Sequence, residues 1–232
     1  MARRGVMGVL GGAVVAVLGG CRIFGGGSGY RFRMTVEVET PQGLKTDSSV
    51  YQVTAGYRPD LQPGGKAREW AARGEAVVVD LPGGKTLFAL LKTTNLMRTD
   101  LVQISMVALD PAFQNDIPES AKRIANGDGI RSPAEIVTSD YPLLVTFGDI
   151  GDPKSVVEVK ASNLAPRFGP GVRLKRITVE VTDDAMTTGL EKKLGWLPEF
   201  YGRFLSGERF ESVSPRLADH LGAGNFSTEL SK

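Results

Sequence analysis

The chain has 232 residues, of which 41% are hydrophobic and 23% are charged, and this composition is typical of one globular domain. The formal net charge is +2, and the only charged side chains among the first twenty residues are those of Arg3 and Arg4. Since the remaining chain carries equal numbers of basic and acidic residues, its charge argues against a nucleic-acid-binding protein, which usually presents a basic patch.

Cysteine and histidine each occur once, as Cys21 and His220. One cysteine excludes an intramolecular disulfide. One cysteine with one histidine also excludes the zinc sites that are built from three or four such ligands. The sequence therefore predicts no cofactor.

The first twenty residues have the three parts of a secretory signal peptide. Arg3 and Arg4 form a basic start, residues 5–18 are apolar, and two glycines form a small-residue junction. The apolar segment has 14 residues, whereas a helix needs about 20 to cross the hydrocarbon core of a bilayer. We therefore expect residues 1–20 to be a cleaved signal peptide.

Residues Leu18 to Cys21 read LGGC and resemble the lipobox of bacterial lipoproteins, in which a Leu and two small residues precede an invariant cysteine. The resemblance implies a diacylglyceryl group on the Cys21 thiol, cleavage before Cys21, and acylation of the new amino group with a fatty acid such as palmitate. Two or three acyl chains anchor a protein stably, because each buried CH₂ contributes about 0.8 kcal/mol. The alternatives are an ordinary secretory signal that ends near a cysteine and an uncleaved anchor.

A glycine-rich tether, GGGSG, occupies Gly25–Gly29, and such a segment is flexible. We expect residues 21–29 to link the lipid to the folded part, which then faces the periplasm from the membrane of the cell envelope. In enterobacterial lipoproteins an Asp after the cysteine retains the protein at the inner membrane. Arg22 at this position favours the outer membrane, in a source that has one.

Residues 30–206 are predicted to form a single α+β domain, mostly antiparallel β-sheet. Apolar and polar residues alternate from Tyr30 to Thr40, which is typical of a strand with one buried face. The segment Ser49–Ala55 is its expected hairpin partner, and Glu75–Lys92 is a second expected hairpin. The polar segment between them, Tyr57 to Gly74, is predicted to be a loop.

A helical insertion is predicted to interrupt the strands between residues 100 and 140. Three helix starts support this insertion. The first is the capping box of Asp100 and Gln103 before LVQISMVAL, and the second is Asp116 with Pro118 and Glu119 before a helix ending at Gly127. The third is Ser132-Pro133 with Glu135.

Strands are expected to resume at Tyr141–Phe147 and at Val172–Thr182. In the second of these the apolar residues change from even to odd positions, so we predict a β-bulge near Lys175-Arg176. A C-terminal amphipathic helix is predicted from an apolar stripe formed by Leu190, Leu194, Leu197, Tyr201 and Phe204. Leu197-Pro198 is expected to break this helix into two pieces. Residues 207–232 lack periodicity and are predicted to be an irregular tail.

Two loops contain residues that could carry chemistry. GGKT at Gly83–Thr86 resembles the end of a phosphate-binding loop, but the first glycine of that motif is missing and we predict a hairpin turn. FGDIGDPKS contains Asp149 and Asp152, which could bind Ca²⁺ or act as the paired acids of a hydrolase. Asp in such loops more often closes a turn through its own backbone.

The stretch from YPLLVTFGDIGDPKSVVEV through NLAPRFGPGVRLKRITVEVTDDAMTTGLEKKL resembles a family of uncharacterised proteobacterial proteins, a resemblance that implies no activity. We therefore expect a membrane-anchored envelope lipoprotein that serves as a binding or structural module for an unknown envelope protein or ligand. The alternatives are an envelope hydrolase or metal-dependent enzyme that uses Asp149 and Asp152, and an assembly factor for an envelope complex.

Overall fold

The computed structural model describes residues 27–60, 65–93, 100–210 and 213–230. The predicted signal peptide, Cys21 and most of the tether lie outside the described residues, so their assignment stays a prediction.

Nine strands form two antiparallel sheets in the described part of the chain. The strands are β1 Ser28–Thr40, β2 Gly43–Pro59, β3 Lys66–Arg73, β4 Val77–Leu81, β5 Lys85–Thr93, β6 Ala134–Glu135, β7 Pro142–Phe147, β8 Val156–Glu158 and β9 Arg173–Val181. The first sheet has the order β3-β2-β1-β9-β6 and the second has the order β4-β5-β7-β8. The predicted α+β class with mostly antiparallel sheet is confirmed.

Three α-helices accompany the sheets in the described ranges, namely α1 Leu101–Leu109, α2 Ile117–Asn126 and α3 Ala165–Phe168. The helical insertion is confirmed for α1 and α2. The side chain of Asp100 accepts a hydrogen bond from the backbone N–H of Gln103, and Asp116 caps α2 in the same way. α2 ends at Gly127, whose φ of +96° is left-handed and favours glycine.

The third predicted helix start, at Ser132-Pro133, is wrong. Residues 134–135 form β6, which pairs with β9, and Ile136 is buried and donates its N–H to the carbonyl of Ile177. Backbone pairing with β9 therefore replaces the helical hydrogen bonds. A 3₁₀ turn at Thr138–Asp140 follows before β7.

The predicted loop from Tyr57 to Gly74 is also wrong, because β2 continues to Pro59 and β3 pairs with it. Strand β3 is an edge strand whose residues are mostly exposed. It therefore lacks the alternation of apolar and polar residues by which a half-buried strand is recognised, and its backbone hydrogen bonds to β2 hold it in place.

The predicted β-bulge in β9 is confirmed. Glu37 of β1 pairs with Arg176 and Val38 pairs with Leu174, so Lys175 is the extra residue. The bulge brings two cations to the Glu37 carboxylate, with Arg176 Nη2 at 2.7 Å and Lys175 Nζ at 2.9 Å. The hydrogen bonds from Arg176 and Lys175 hold the pKa of Glu37 below its usual range, against the effect of desolvation.

The second sheet is buried on both faces. Leu87 and Ala89 of β5 belong to a core shared with the first sheet, α1 and α2. Phe88 and Leu90 face a second core, which the C-terminal part of the chain completes. Burial on both faces explains why β5 reads as a continuous apolar run.

The predicted C-terminal amphipathic helix is wrong in its secondary structure. The chain forms two separate 3₁₀ turns, at Leu190–Lys192 and Leu197–Phe200. Pro198 has no N–H to donate to residue 194, which interrupts an α-helix there. Leu190, Leu194 and Leu197 are nevertheless buried, whereas Tyr201 is 47% exposed. The first three residues of the apolar stripe therefore mark packing rather than helix.

Residues 213–230 contain two further 3₁₀ turns, at Leu217–Asp219 and Ala223–Asn225. Phe226 is fully buried in the second core. The buried carboxylate of Glu75 ties this region together, because it accepts hydrogen bonds from the N–H of Leu190 at 2.8 Å and from Ser227 Oγ at 2.9 Å. The end of the chain is therefore packed against the second sheet.

Candidate functional site: a groove at one end of the second sheet

A groove of about 600 Å³ opens at one end of the second sheet. Strands β5 and β7 are antiparallel neighbours, so the turn before β5 and the loop after β7 lie at the same end. These are the GGKT and FGDIGDPKS segments. The groove is lined by Gly83, Gly84, Lys85, Thr86, Phe88, Thr146, Phe147, Gly148, Asp149, Ile150, Val157, Pro166 and Arg167.

The GGKT segment forms the turn between β4 and β5, so the predicted hairpin turn is confirmed. Gly83 and Gly84 have φ values of +77° and +72°, which only glycine adopts without strain. Lys85 and Thr86 then begin β5, where a phosphate-binding loop would begin a helix. Thr86 Oγ1 donates to Asp80 Oδ1 at 2.9 Å.

The loop after β7 uses both of its aspartates to close turns. Asp149 Oδ1 accepts the N–H of Gly151 at 2.9 Å, and Asp152 Oδ1 accepts the N–H of Lys154 at 2.9 Å. Of the two carboxylates, Asp149 lines the groove. No group of three or more His, Cys, Asp or Glu side chains able to hold a metal occurs within the described residues.

The groove combines one partly exposed aromatic ring with charged groups. The ring of Phe147 is partly exposed, and the fully buried Phe88 packs edge to face against it with centroids 5.5 Å apart. Lys85 Nζ donates to the backbone carbonyl of Arg167, so the two cationic residues are neighbours. Ile150 adds an apolar side chain that is 40% exposed. Such a groove can hold a ligand that has an apolar part and an anionic group.

The C-terminal part of the chain supports the groove from behind. Trp196 Nε1 donates to the carbonyl of Ile150 at 2.8 Å, and its ring lies 5.6 Å from that of Phe147. Phe226 lies 5.9 Å from Phe147 on the same side. Trp196 and Phe226 could not be predicted as part of the site, because neither belongs to a motif or to a periodic pattern of the sequence.

A further contact fixes β4 to the C-terminal part. Burial alone would raise the pKa of Asp80, but hydrogen bonds from Lys193 and Thr86 outweigh this effect and hold the pKa below its usual value. Asp80 is therefore ionised at neutral pH and forms an ion pair with Lys193. Through Asp80, the strand that leads into the GGKT turn is thus bound both to Thr86 of β5 and to Lys193 of the C-terminal part.

Comparisons with protein families, with curated proteins and with solved structures found no match for this chain. Within the described ranges, no helix has the length and apolarity that crossing a membrane requires.

Proposed function

We propose that the protein is a lipid-anchored lipoprotein of the bacterial cell envelope whose folded domain binds a ligand in the groove. The observation that carries the proposal is LGGC at residues 18–21, which places the only cysteine of the chain directly after a signal-like segment. The folded domain begins soon afterwards, at Ser28 of β1. A short tether is what a membrane-anchored binding module requires.

The geometry of the groove favours binding over catalysis. A hydrolase with paired acids needs two carboxylates that face the same substrate. Asp149 lines the groove, whereas Asp152 caps the following 3₁₀ turn. Besides Asp149, the lining consists of glycines, threonines, apolar residues and the two cations Lys85 and Arg167, and this mixture suits recognition of an amphipathic ligand with an anionic group.

The anchor is tested by labelled-palmitate incorporation in the native host, with membrane fractionation of the wild type and of Cys21→Ser. We expect label and membrane association in the wild type, and the loss of both in the variant. A wild-type protein that takes up no label would contradict the lipoprotein assignment.

The groove is tested in intact cells with a photo-crosslinking amino acid at position 150. The matched control carries the same amino acid at position 137, since Val137 is also exposed, at 57% against 40% for Ile150, but lies outside the groove. We expect a light-dependent adduct of one discrete mass from position 150 alone. Equal adducts from both positions, or none from either, would argue against a binding groove.

A further inference from the structure

The β2–β3 hairpin extends beyond the point at which β1 begins. Ser28, the first residue of β1, pairs with Ala55 of β2. Strand β2 then continues to Pro59, which pairs with Lys66 at the start of β3. We call residues 56–59 and 66–69 the overhang.

Gly27, the residue that precedes β1, lies beside the overhang. A Cβ atom built on Gly56 would lie 3.1 Å from the Cα atom of Gly27. The described chain therefore enters β1 at the end of the sheet from which the overhang projects.

The lengths of the tether and the overhang match. Seven residue steps separate Cys21 from Ser28, and a flexible glycine-rich chain of that length has an end-to-end distance of about 15 Å. The overhang adds four residues to β2 beyond Ala55, or about 13 Å at the rise of a strand. A tether of this length is therefore long enough to let the end of the overhang reach the membrane that holds the lipid.

The exposed side chains of the overhang suit a phospholipid surface. It carries the cations Arg58, Lys66 and Arg68 and the carboxylate of Glu69, and the exposed Asp60 continues the hairpin directly after it. Within the described part of the chain, Arg58 and Lys66 have no ion pair, while Arg68 contacts Asp116 at 3.9 Å. Cations this close to an anionic membrane surface are attracted to it.

An exposed aromatic residue accompanies these cations. The side chain of Tyr57 is 45% exposed, and its hydroxyl donates to Asp116 Oδ1 at 3.0 Å. The hydrogen bond fixes the ring on the overhang, and tyrosine is enriched where proteins meet the headgroup layer.

We propose that the overhang rests on the phospholipid headgroups of the membrane that carries the anchor, so that the lipid and the hairpin together orient the domain. This inference rests on the proposed lipidation of Cys21. It also orients the groove: Arg167 precedes β9, whose first residue Arg173 pairs with Glu39 near the far end of β1. The α3 side of the groove then points away from the membrane.

The experiment uses the full lipidated protein with a nitroxide at position 66. Because the thioether occupies Cys21, Lys66→Cys supplies a single reactive thiol. The protein is reconstituted into vesicles of phosphatidylethanolamine and phosphatidylglycerol that contain a nickel-chelating lipid. The matched control is Gln42→Cys in the exposed β1–β2 turn, about 50 Å away along β2. We expect nickel to enhance nitroxide relaxation at least fivefold more at position 66 than at position 42.

The intact mass of each preparation separates this proposal from the proposed function. Lipidated protein with equal relaxation at both positions would overturn the membrane contact and leave the anchor standing. Protein without lipid on Cys21 would overturn both.

Discussion

Phe226 is expected to contribute as much to stability as any residue of the second core, although it lies near the end of an irregular segment. It is fully buried, and its ring lies 5.9 Å from Phe147, 6.2 Å from Phe88 and 6.2 Å from Trp196. Replacing a buried Phe with Ala costs about 3–5 kcal/mol in total, and aromatic contacts such as these three place a residue in the upper part of that range. We therefore expect Phe226→Ala to lower the free energy of unfolding by about 4–5 kcal/mol.

Urea unfolding followed by circular dichroism measures this loss. The matched control is Phe210→Ala, because Phe210 belongs to the same C-terminal part and is 84% exposed. A surface substitution of this kind changes stability by about 0.5 kcal/mol at most. If both variants lost the same stability, or if Phe226→Ala lost less than about 1 kcal/mol, the packing of the C-terminal part against the second sheet would be refuted.

Three further outcomes follow from individual contacts. Burial favours the neutral form of Asp110, but hydrogen bonds led by that from Arg123 outweigh it and hold its pKa below the ordinary 3.8. The stabilisation by Asp110 is therefore present above about pH 4 and is lost as the pH falls through the folded-state pKa. Urea titrations at several pH values should show that the free energy of unfolding falls less steeply with acid in Asp110→Asn than in the wild type. Asp152→Ala removes a turn cap and should cost about 0.5–2 kcal/mol, and the melting temperatures should show the same loss in calcium and in EDTA. Gly74 has a φ of +145°, and an added Cβ would lie 2.6 Å from Tyr51 Cδ1, so Gly74→Ala should lower the free energy of unfolding by more than about 2 kcal/mol.

Local signals in the sequence predicted the elements whose stability is local. The alternation in β1 arises because one face of the strand is fully buried. The caps of α1 and α2 were visible because Asp100 and Asp116 hydrogen-bond within three residues along the chain. The bulge at Lys175 was predicted because an extra residue shifts the apolar positions of β9 by one.

The predictions failed where distant contacts decide the structure. Strand β3 is exposed and has no alternation, so its pairing with β2 left no pattern. The stripe at Leu190, Leu194 and Leu197 did mark buried residues. Periodicity alone could not show that two 3₁₀ turns replace the helix. Nor could it show that Glu75, 115 positions earlier, accepts the N–H of Leu190.

The candidate site was predicted in its parts but not as a whole. GGKT is predicted to be a hairpin turn from its glycines, and FGDIGDPKS is predicted to be a loop in which Asp closes turns. Their meeting in one groove follows from the antiparallel pairing of β5 with β7, between Phe88 and Val145 for example. Sequence separation hides this pairing, and α3, which supplies Arg167 to the groove, is farther still along the chain.

The intact mass of the mature protein purified from its native host tests the central claim most directly. We predict a chain that begins at Cys21 and carries the added mass of a diacylglyceryl group and one further acyl chain. An unmodified Cys21, or a chain that begins at any other residue, would contradict the account of a lipid-anchored envelope protein.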